Sequence, residues 1–313
     1  MGYAMRFHLP AAAILAGIAF TAATSGTANA TDPLVDAAWL YEHHDDTNVE
    51  VLDLRNAIDG GSAKAFAQGH IPGAIYSNYL KDGWRRTRDG VPGQLPKVTS
   101  LEELIGDLGI DNNDHVIVVA AGTSALDMGS ATRVYWTFKV LGHDEVSVLN
   151  GGHKAYAAKY ELAEGQVTPE PARFDGKLQP DLLASREAVA EALQSGTSLI
   201  DNRPTAQYQG ESKHPKAAKP GTLPGAGNVP ESKLTVNGGT FVEAEQVAAL
   251  LDEAGLSHRG DAIAFCNTGH WASLGWFAVH EILGNKDVKL YDGSMTGWTQ
   301  HGGAVERIAK DAE

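Results

Sequence analysis

Two hydrophobic rhythms alternate along this chain. Short, almost uninterrupted apolar runs, Val51-Leu52-Asp53-Leu54-Arg55, His115 to Ala120 and Val146-Ser147-Val148-Leu149, are separated by longer stretches with apolar positions every three or four residues. Runs of that kind predict strands covered on both faces, and the longer period predicts the helices that cover them. The expected fold is α/β, a mostly parallel sheet flanked by helices, with ligands taken up at the carboxyl ends of the strands.

The same rhythm returns in the second half as Leu199-Ile200-Asp201-Asn202-Arg203, Asp261 to Phe265 and Val288-Lys289-Leu290-Tyr291. In each half the first run carries an aspartate and, two residues later, an arginine. A Pro-Gly turn follows, Gly69-His70-Ile71-Pro72-Gly73-Ala74 and Gly221-Thr222-Leu223-Pro224-Gly225-Ala226, where proline fixes one dihedral and glycine permits unusual ones. The spacing predicts helices ending near Leu141-Gly142 and Leu283-Gly284. Nine residues beyond those glycines stand Gly151 and Gly293, and five further on Tyr156 and Trp298. This ladder predicts two copies of one domain, 31–163 and 181–313, joined by a Gly- and Pro-bearing linker over 164–180.

Residues 1–30 read as an export signal. Arg6 precedes an apolar run from Leu9 to Ala23 that ends at Ala28-Asn29-Ala30, a signal-peptidase-like site. About 15 apolar residues broken by Pro10 fall short of the roughly 20 that cross a bilayer. The mature chain is expected to start at Thr31, exported to a bacterial periplasm by the style of the signal, with no membrane span thereafter. The 25 Lys plus Arg against 39 Asp plus Glu leave a formal charge of −14, which argues against nucleic acid as a partner. Only Arg85, Arg86 and Arg88 cluster, either as a solvated turn or as positive potential beside an anion site.

The 313-residue chain has a single cysteine, Cys266, so no intramolecular disulfide can form. A lone thiol in an oxidising compartment is a buried small hydrophobe or a group kept for its chemistry. Cys266 to Trp271 reads as a six-residue loop between the strand ending at Phe265 and a helix from Ala272. A loop curled around the sulfur directs successive N–H groups and the helix N-terminus at it, favouring a thiolate and any anion brought to it. Cysteines so placed can titrate well below about 8.5.

Taken in order, Leu52-Asp53-Leu54-Arg55, Gly69 to Ala74, Arg133-Val134-Tyr135-Trp136, Val148-Leu149-Asn150-Gly151-Gly152, Leu199 to Arg203 and Tyr291-Asp292-Gly293-Ser294 resemble the tandem-domain rhodaneses, sulfurtransferases of the thiosulfate or 3-mercaptopyruvate type. The resemblance implies two tandem rhodanese-like domains. The first is catalytically silent, as its corresponding loop, Ala121-Gly122-Thr123-Ser124-Ala125, has no cysteine. The resemblance further implies that Cys266 attacks a sulfane sulfur on a small anionic donor, becomes a persulfide, and passes the sulfur to a thiophilic acceptor such as cyanide or a thiol, without a cofactor. Arg133 is implied to lie in the interdomain cleft and bind the anionic substrate.

The active-site loop departs from the family. Thiosulfate enzymes commonly place cations after the cysteine and mercaptopyruvate enzymes small residues, whereas Asn267, Thr268, Gly269, His270 and Trp271 offer amide and hydroxyl donors, an imidazole and an indole. Gly269 keeps the family's turn position. Thr222 replaces a usual histidine, and Gly297 a common acidic residue. His270 reads either as an acid or anion ligand or as an exposed loop histidine, and Trp271 either as a pocket wall or as packing.

A cysteine phosphatase is excluded, because its loop needs an arginine where Ala272 stands and a histidine where Phe265 stands. The remaining alternative is a sulfur carrier or persulfide-binding partner that accepts sulfur without turnover. Glu42-His43-His44-Asp45-Asp46 reads as solvated surface, and neither it nor Cys266 with His270 has the spacing of a metal site. No phosphate-cradling glycine motif or serine nucleophile elbow is found.

Overall fold

The computed structural model describes residues 1–3 and 31–308, so the export-signal segment around Arg6 to Ala30 lies outside the described residues. The first half contains β1 (Leu34–Val35), α1 (Ala37–His43), β2 (Val49–Asp53), α2 (Ala63–Gln68), β3 (Ile75–Tyr76), β4 (Arg86–Arg88), β5 (Val91–Gln94), α3 (Val98–Asp107), β6 (His115–Val119), α4 (Ala125–Val140), β7 (Val146–Leu149) and α5 (Gly152–Ala157). The second contains β8 (Leu183–Ala184), α6 (Arg186–Ser195), β9 (Ser198–Asp201), α7 (Thr205–Tyr208), β10 (Gly227–Asn228), β11 (Thr235–Val236), β12 (Thr240–Phe241), α8 (Ala244–Glu253), β13 (Ala262–Phe265), α9 (His270–Phe277), β14 (Val288–Tyr291) and α10 (Ser294–Gln300).

Each half builds a five-stranded parallel sheet, and the two orders match strand for strand, β1-β7-β6-β2-β3 and β8-β14-β13-β9-β10. Two parallel sheets flanked by helices are the duplicated α/β fold that the apolar runs predict. Because successive side chains on a strand point to opposite faces, Val116 and Val118 of β6 enter a core shared by both halves, while Ile117 and Val119 enter an outer one. Likewise Ala262 and Ala264 of β13, with Cys266, face the shared core and Ile263 and Phe265 the outer one. In the shared layer α4 lies against α9. Thr132 Oγ1 meets Ser273 Oγ at 2.9 Å, and the Tyr135 ring stands edge-on to Phe277 at 4.9 Å.

The repeated aspartate and arginine have a structural task. Arg55 pairs with Asp53 and donates to Gly69 O at 2.8 Å, while Arg203 pairs with Asp201 and donates to Gly221 O at 2.9 Å. In each copy a buried ion pair thus pins the strand end to the Pro-Gly turn. Where the first turn has His70, Thr222 of the second donates its hydroxyl to Asp201 Oδ2 at 2.7 Å.

Two small hairpins cross between the halves. Leu95 N, just after the β4–β5 hairpin, donates to Asp292 Oδ2 at 2.5 Å, and Phe241 N of the β11–β12 hairpin donates to Asn150 Oδ1 at 2.9 Å. Asn150 and Asp292 are equivalent in the repeat, so each copy grips its sister's hairpin by the same position. Segment 164–180 is fastened rather than loose, with Ala172 N bonded to Gly106 O, Lys177 N to Leu141 O, and Phe174 buried in the shared core. Among the described residues no helix is long and apolar enough to cross a membrane.

Candidate active site

Cys266 directly follows β13 and is 1% exposed. The loop after it is shorter than the apolar pattern suggests, because α9 begins at His270. Gly269 makes the tight turn at φ +78°, and a Cβ there would stand 2.3 Å from Arg133 Nη1, so both backbone and space demand glycine.

Ser294 organises the loop. Its Oγ accepts from Cys266 N at 3.0 Å and Gly269 N at 3.2 Å, donates to Tyr291 O at 2.9 Å, and lies 3.9 Å from Cys266 Sγ. Ser294 itself holds left-handed backbone at φ +48°, an uncommon conformation of the sort found at functional sites. Met295 N and Thr296 N of α10 bind the carbonyls of Cys266 and Asn267, and Asn267 Nδ2 donates to Gln207 Oε1 at 2.8 Å. Among the described residues none accepts from the N–H groups of Asn267, Thr268, His270 or Trp271. These amides, at the start of a helix, are what the loop can offer an anion.

Arg133 is held by protein partners on both sides of the cleft. It is 0% exposed, and its Nη2 donates to Asp292 Oδ1 at 2.5 Å and Gly93 O at 3.1 Å while Nη1 donates to Gly269 O at 3.2 Å. A guanidinium this deep needs a carboxylate beside it. Arg133 therefore lies between the domains, as the resemblance implies, but as a clamp that braces the active-site loop.

His270 is not the exposed loop histidine of one expected reading. It is buried, its Nε2–H donates to Leu126 O at 2.8 Å, and its Nδ1 accepts from the Tyr79 hydroxyl at 2.8 Å. Burial, helped by Arg85 and Arg133, pushes its pKa down to about 3, so a neutral ring docks one domain on the other. The folded value lies below the usual 6.5; the unfolded chain therefore gains a proton that the folded one refuses. Stability is full above about pH 6.5 and drains as pH falls toward 3. Wild type is expected to lose about 1 kcal/mol between roughly pH 6.5 and 5.5 that His270→Gln does not lose, measured by urea unfolding; equal losses would refute this role.

Trp271 sits in the first turn of α9, half-buried and packed against the shared core. Thr268 borders an open cavity of about 380 Å³ together with Arg85, Arg86 and Lys216. Arg88 lines a separate cavity of about 600 Å³ on the other flank of the β4–β5 hairpin, with Asp292 and Gly293. His43 Nδ1 lies 2.8 Å from Asp46 Oδ2 and His44 Nδ1 3.0 Å from Asp45 Oδ1, and among the described residues no three His, Cys, Asp or Glu groups converge as a metal set. Sequence reasoning assigned no site role to Ser294, Asp292, Tyr79 or Gln207. The first two carried a usable signal, since they follow β14, the sheet neighbour of β13.

The matching loop of the first half follows β6, with Ala120 where Cys266 stands. There the Asp127 carboxylate accepts from Gly122 N and Ser124 N at 2.6 Å and from the hydroxyls of Thr123 and Ser124 at 2.8 Å. A built-in anion fills that loop.

The rhodanese-like domain family matches residues 36–159 and 185–301. A Saccharopolyspora erythraea protein provisionally named thiosulfate sulfurtransferase is 36% identical over 259 residues, covering 77% of this chain and 84% of that protein. The sulfur carrier protein TtuD of Thermus thermophilus is 30% identical over 277 residues, covering 85% and 93%. Among solved structures, the 3-mercaptopyruvate sulfurtransferase SseA of Escherichia coli is similar with a TM-score of 0.72 at 28% identity, covering 84% of this chain and 99% of that one. With one match over each of its two sheets, the chain belongs to the rhodanese family.

Proposed function

We propose that the protein is a sulfurtransferase that moves a sulfane sulfur from thiosulfate or a related donor, through a Cys266 persulfide, to a thiophilic acceptor such as cyanide or a thiol. The observation that carries this reading is the sole cysteine at a strand's carboxyl end, heading a loop whose amides at 267, 268, 270 and 271 have no acceptor among the described residues. The Cys266 thiolate attacks the outer sulfur of thiosulfate. A new S–S bond forms at Sγ, the donor's S–S bond breaks, and sulfite leaves with the electron pair. The acceptor then attacks the outer sulfur of the persulfide and leaves as thiocyanate or a new persulfide, returning the thiolate. The free amides stabilise the persulfide anion between the two steps.

The reading includes a silent domain over 31–163, a linker over 164–180, a catalytic domain over 181–313, and export after cleavage at Ala30. Intact mass tests its chemical core. Thiosulfate is expected to add about 32 Da to the chain, and cyanide to remove it as thiocyanate accumulates over many turnovers. Loading without turnover would favour a sulfur carrier, a reading that the likeness to the Thermus carrier protein also supports. A free, alkylatable thiol that no donor loads would overturn the proposal.

A further inference from the structure

The active-site loop lacks the cations an anionic donor needs, yet the cavity beside it has them. Arg85 and Arg86 come from the cysteine-free domain and Lys216 from the catalytic one, with Thr268 of the loop and Gly93 of the hairpin closing the space between. We infer that the cysteine-free domain supplies half of the substrate site: Arg85 and Arg86, facing Lys216 across the cavity, bind the oxyanion end of the donor and select doubly charged thiosulfate over a donor that carries a single carboxylate. This rests on the sulfurtransferase reading of Cys266 and names the donor class for it.

Four observations carry the inference. Among the described residues no carboxylate lines the cavity and none pairs with Arg85, Arg86 or Lys216 at ion-pair distance, whereas Arg55, Arg133 and Arg203 each hold an aspartate. In a chain of formal charge −14, an unneutralised cationic recess is a local reversal of field that concentrates anions. Arg85 is held in place, its guanidinium 4.4 Å above the Tyr79 ring, and Tyr79 in turn hydrogen-bonds His270 at 2.8 Å. The buried Arg85 Nε has no acceptor among the described residues, and a planar fork of donors suits an oxyanion. The hairpin that carries Arg86 rests directly on the loop, since a Cβ on Gly93 would stand 2.5 Å from Thr268 O. Thr268 is two residues from Cys266, at most about 7 Å along the backbone.

The test compares donors. In the full chain, Arg86→Ala, Lys216→Ala and Arg85→Gln are each expected to raise the KM for thiosulfate about tenfold with kcat within about twofold, while the KM for mercaptopyruvate moves less than about threefold. Arg86 is exposed, so its loss leaves the packing intact, and Arg86→Lys is expected to restore most of the affinity. Added salt is expected to raise the thiosulfate KM in wild type and hardly at all in an Arg85→Gln/Arg86→Ala double variant. Unchanged KM values in all three single variants, or equal shifts for both donors, overturn the inference. If wild type loads no donor, the sulfurtransferase reading fails by itself. The recess is then judged by calorimetry of thiosulfate on Cys266→Ser, where binding lost on Arg86→Ala supports it and equal binding overturns it.

Discussion

Cys266→Ser is expected to lower sulfur transfer by about a thousandfold or more while leaving the fold in place. A serine hydroxyl is not ionised at neutral pH and cannot hold a transferable sulfane sulfur, so the covalent route closes. The swap removes no volume that the loop needs. Ser294 Oγ, 3.9 Å from the sulfur, remains available to the new hydroxyl, and the backbone bonds from Cys266 N and O to α10 are untouched. Thiocyanate production gives the activity, and urea unfolding within about 1 kcal/mol of wild type gives the control. A variant keeping more than about a tenth of wild-type activity would break the persulfide reading, because there is no second cysteine to take over.

Arg133→Ala and Asp292→Ala are each expected to destabilise the protein by about 3–5 kcal/mol. The pair is almost wholly buried, at 0% and 9% side-chain exposure, so removing one member strands the other's charge between the domains. The cost also includes neighbours. Without Asp292, Leu95 N loses its acceptor, and without Arg133, the carbonyls of Gly93 and Gly269 lose their donor. The double variant Arg133→Ala/Asp292→Ala is expected to cost less than the two single losses added together, a coupling readable from urea unfolding in a four-protein cycle. Single losses below about 1 kcal/mol would show that the ion pair does not clamp the halves. Activity is expected to fall with stability in the Arg133 variant, since Gly269 O belongs to the active-site loop.

What could be read from the sequence is what local chemistry dictates. Uninterrupted apolar runs such as Val116 to Val119 have one low-energy destination, a strand buried on both faces. The Pro-Gly turns and the spacing of Gly142 to Gly151 and Gly284 to Gly293 reveal the duplication, and Cys266 at a strand end follows. The long-range contacts were not legible, for a different reason. Arg133 and Asp292 are 159 residues apart, Tyr79 and His270 191, and Leu95 and Asp292 197, and no periodicity encodes partners at that range. Strand β4 is exposed throughout and so leaves no apolar trace, which hid the hairpin that covers the loop. The helix start at His270 was missed because a buried histidine between two partners looks, in sequence, like a polar loop residue.

The carboxylate in the first domain's loop bears on how this molecule can change over generations. Placing a thiol at Ala120 alone would set it in a loop whose Gly122 and Ser124 amides and Thr123 and Ser124 hydroxyls already serve Asp127, leaving fewer donors for a persulfide. Clearing Asp127 first would orphan those donors and break the capping box at the start of α4, at a cost of about 1–3 kcal/mol with no activity in return. Reactivation therefore needs two changes together, each unrewarded or harmful alone. On the sulfurtransferase reading, the Asp127 carboxylate therefore keeps single changes from giving the cysteine-free copy a persulfide loop of its own.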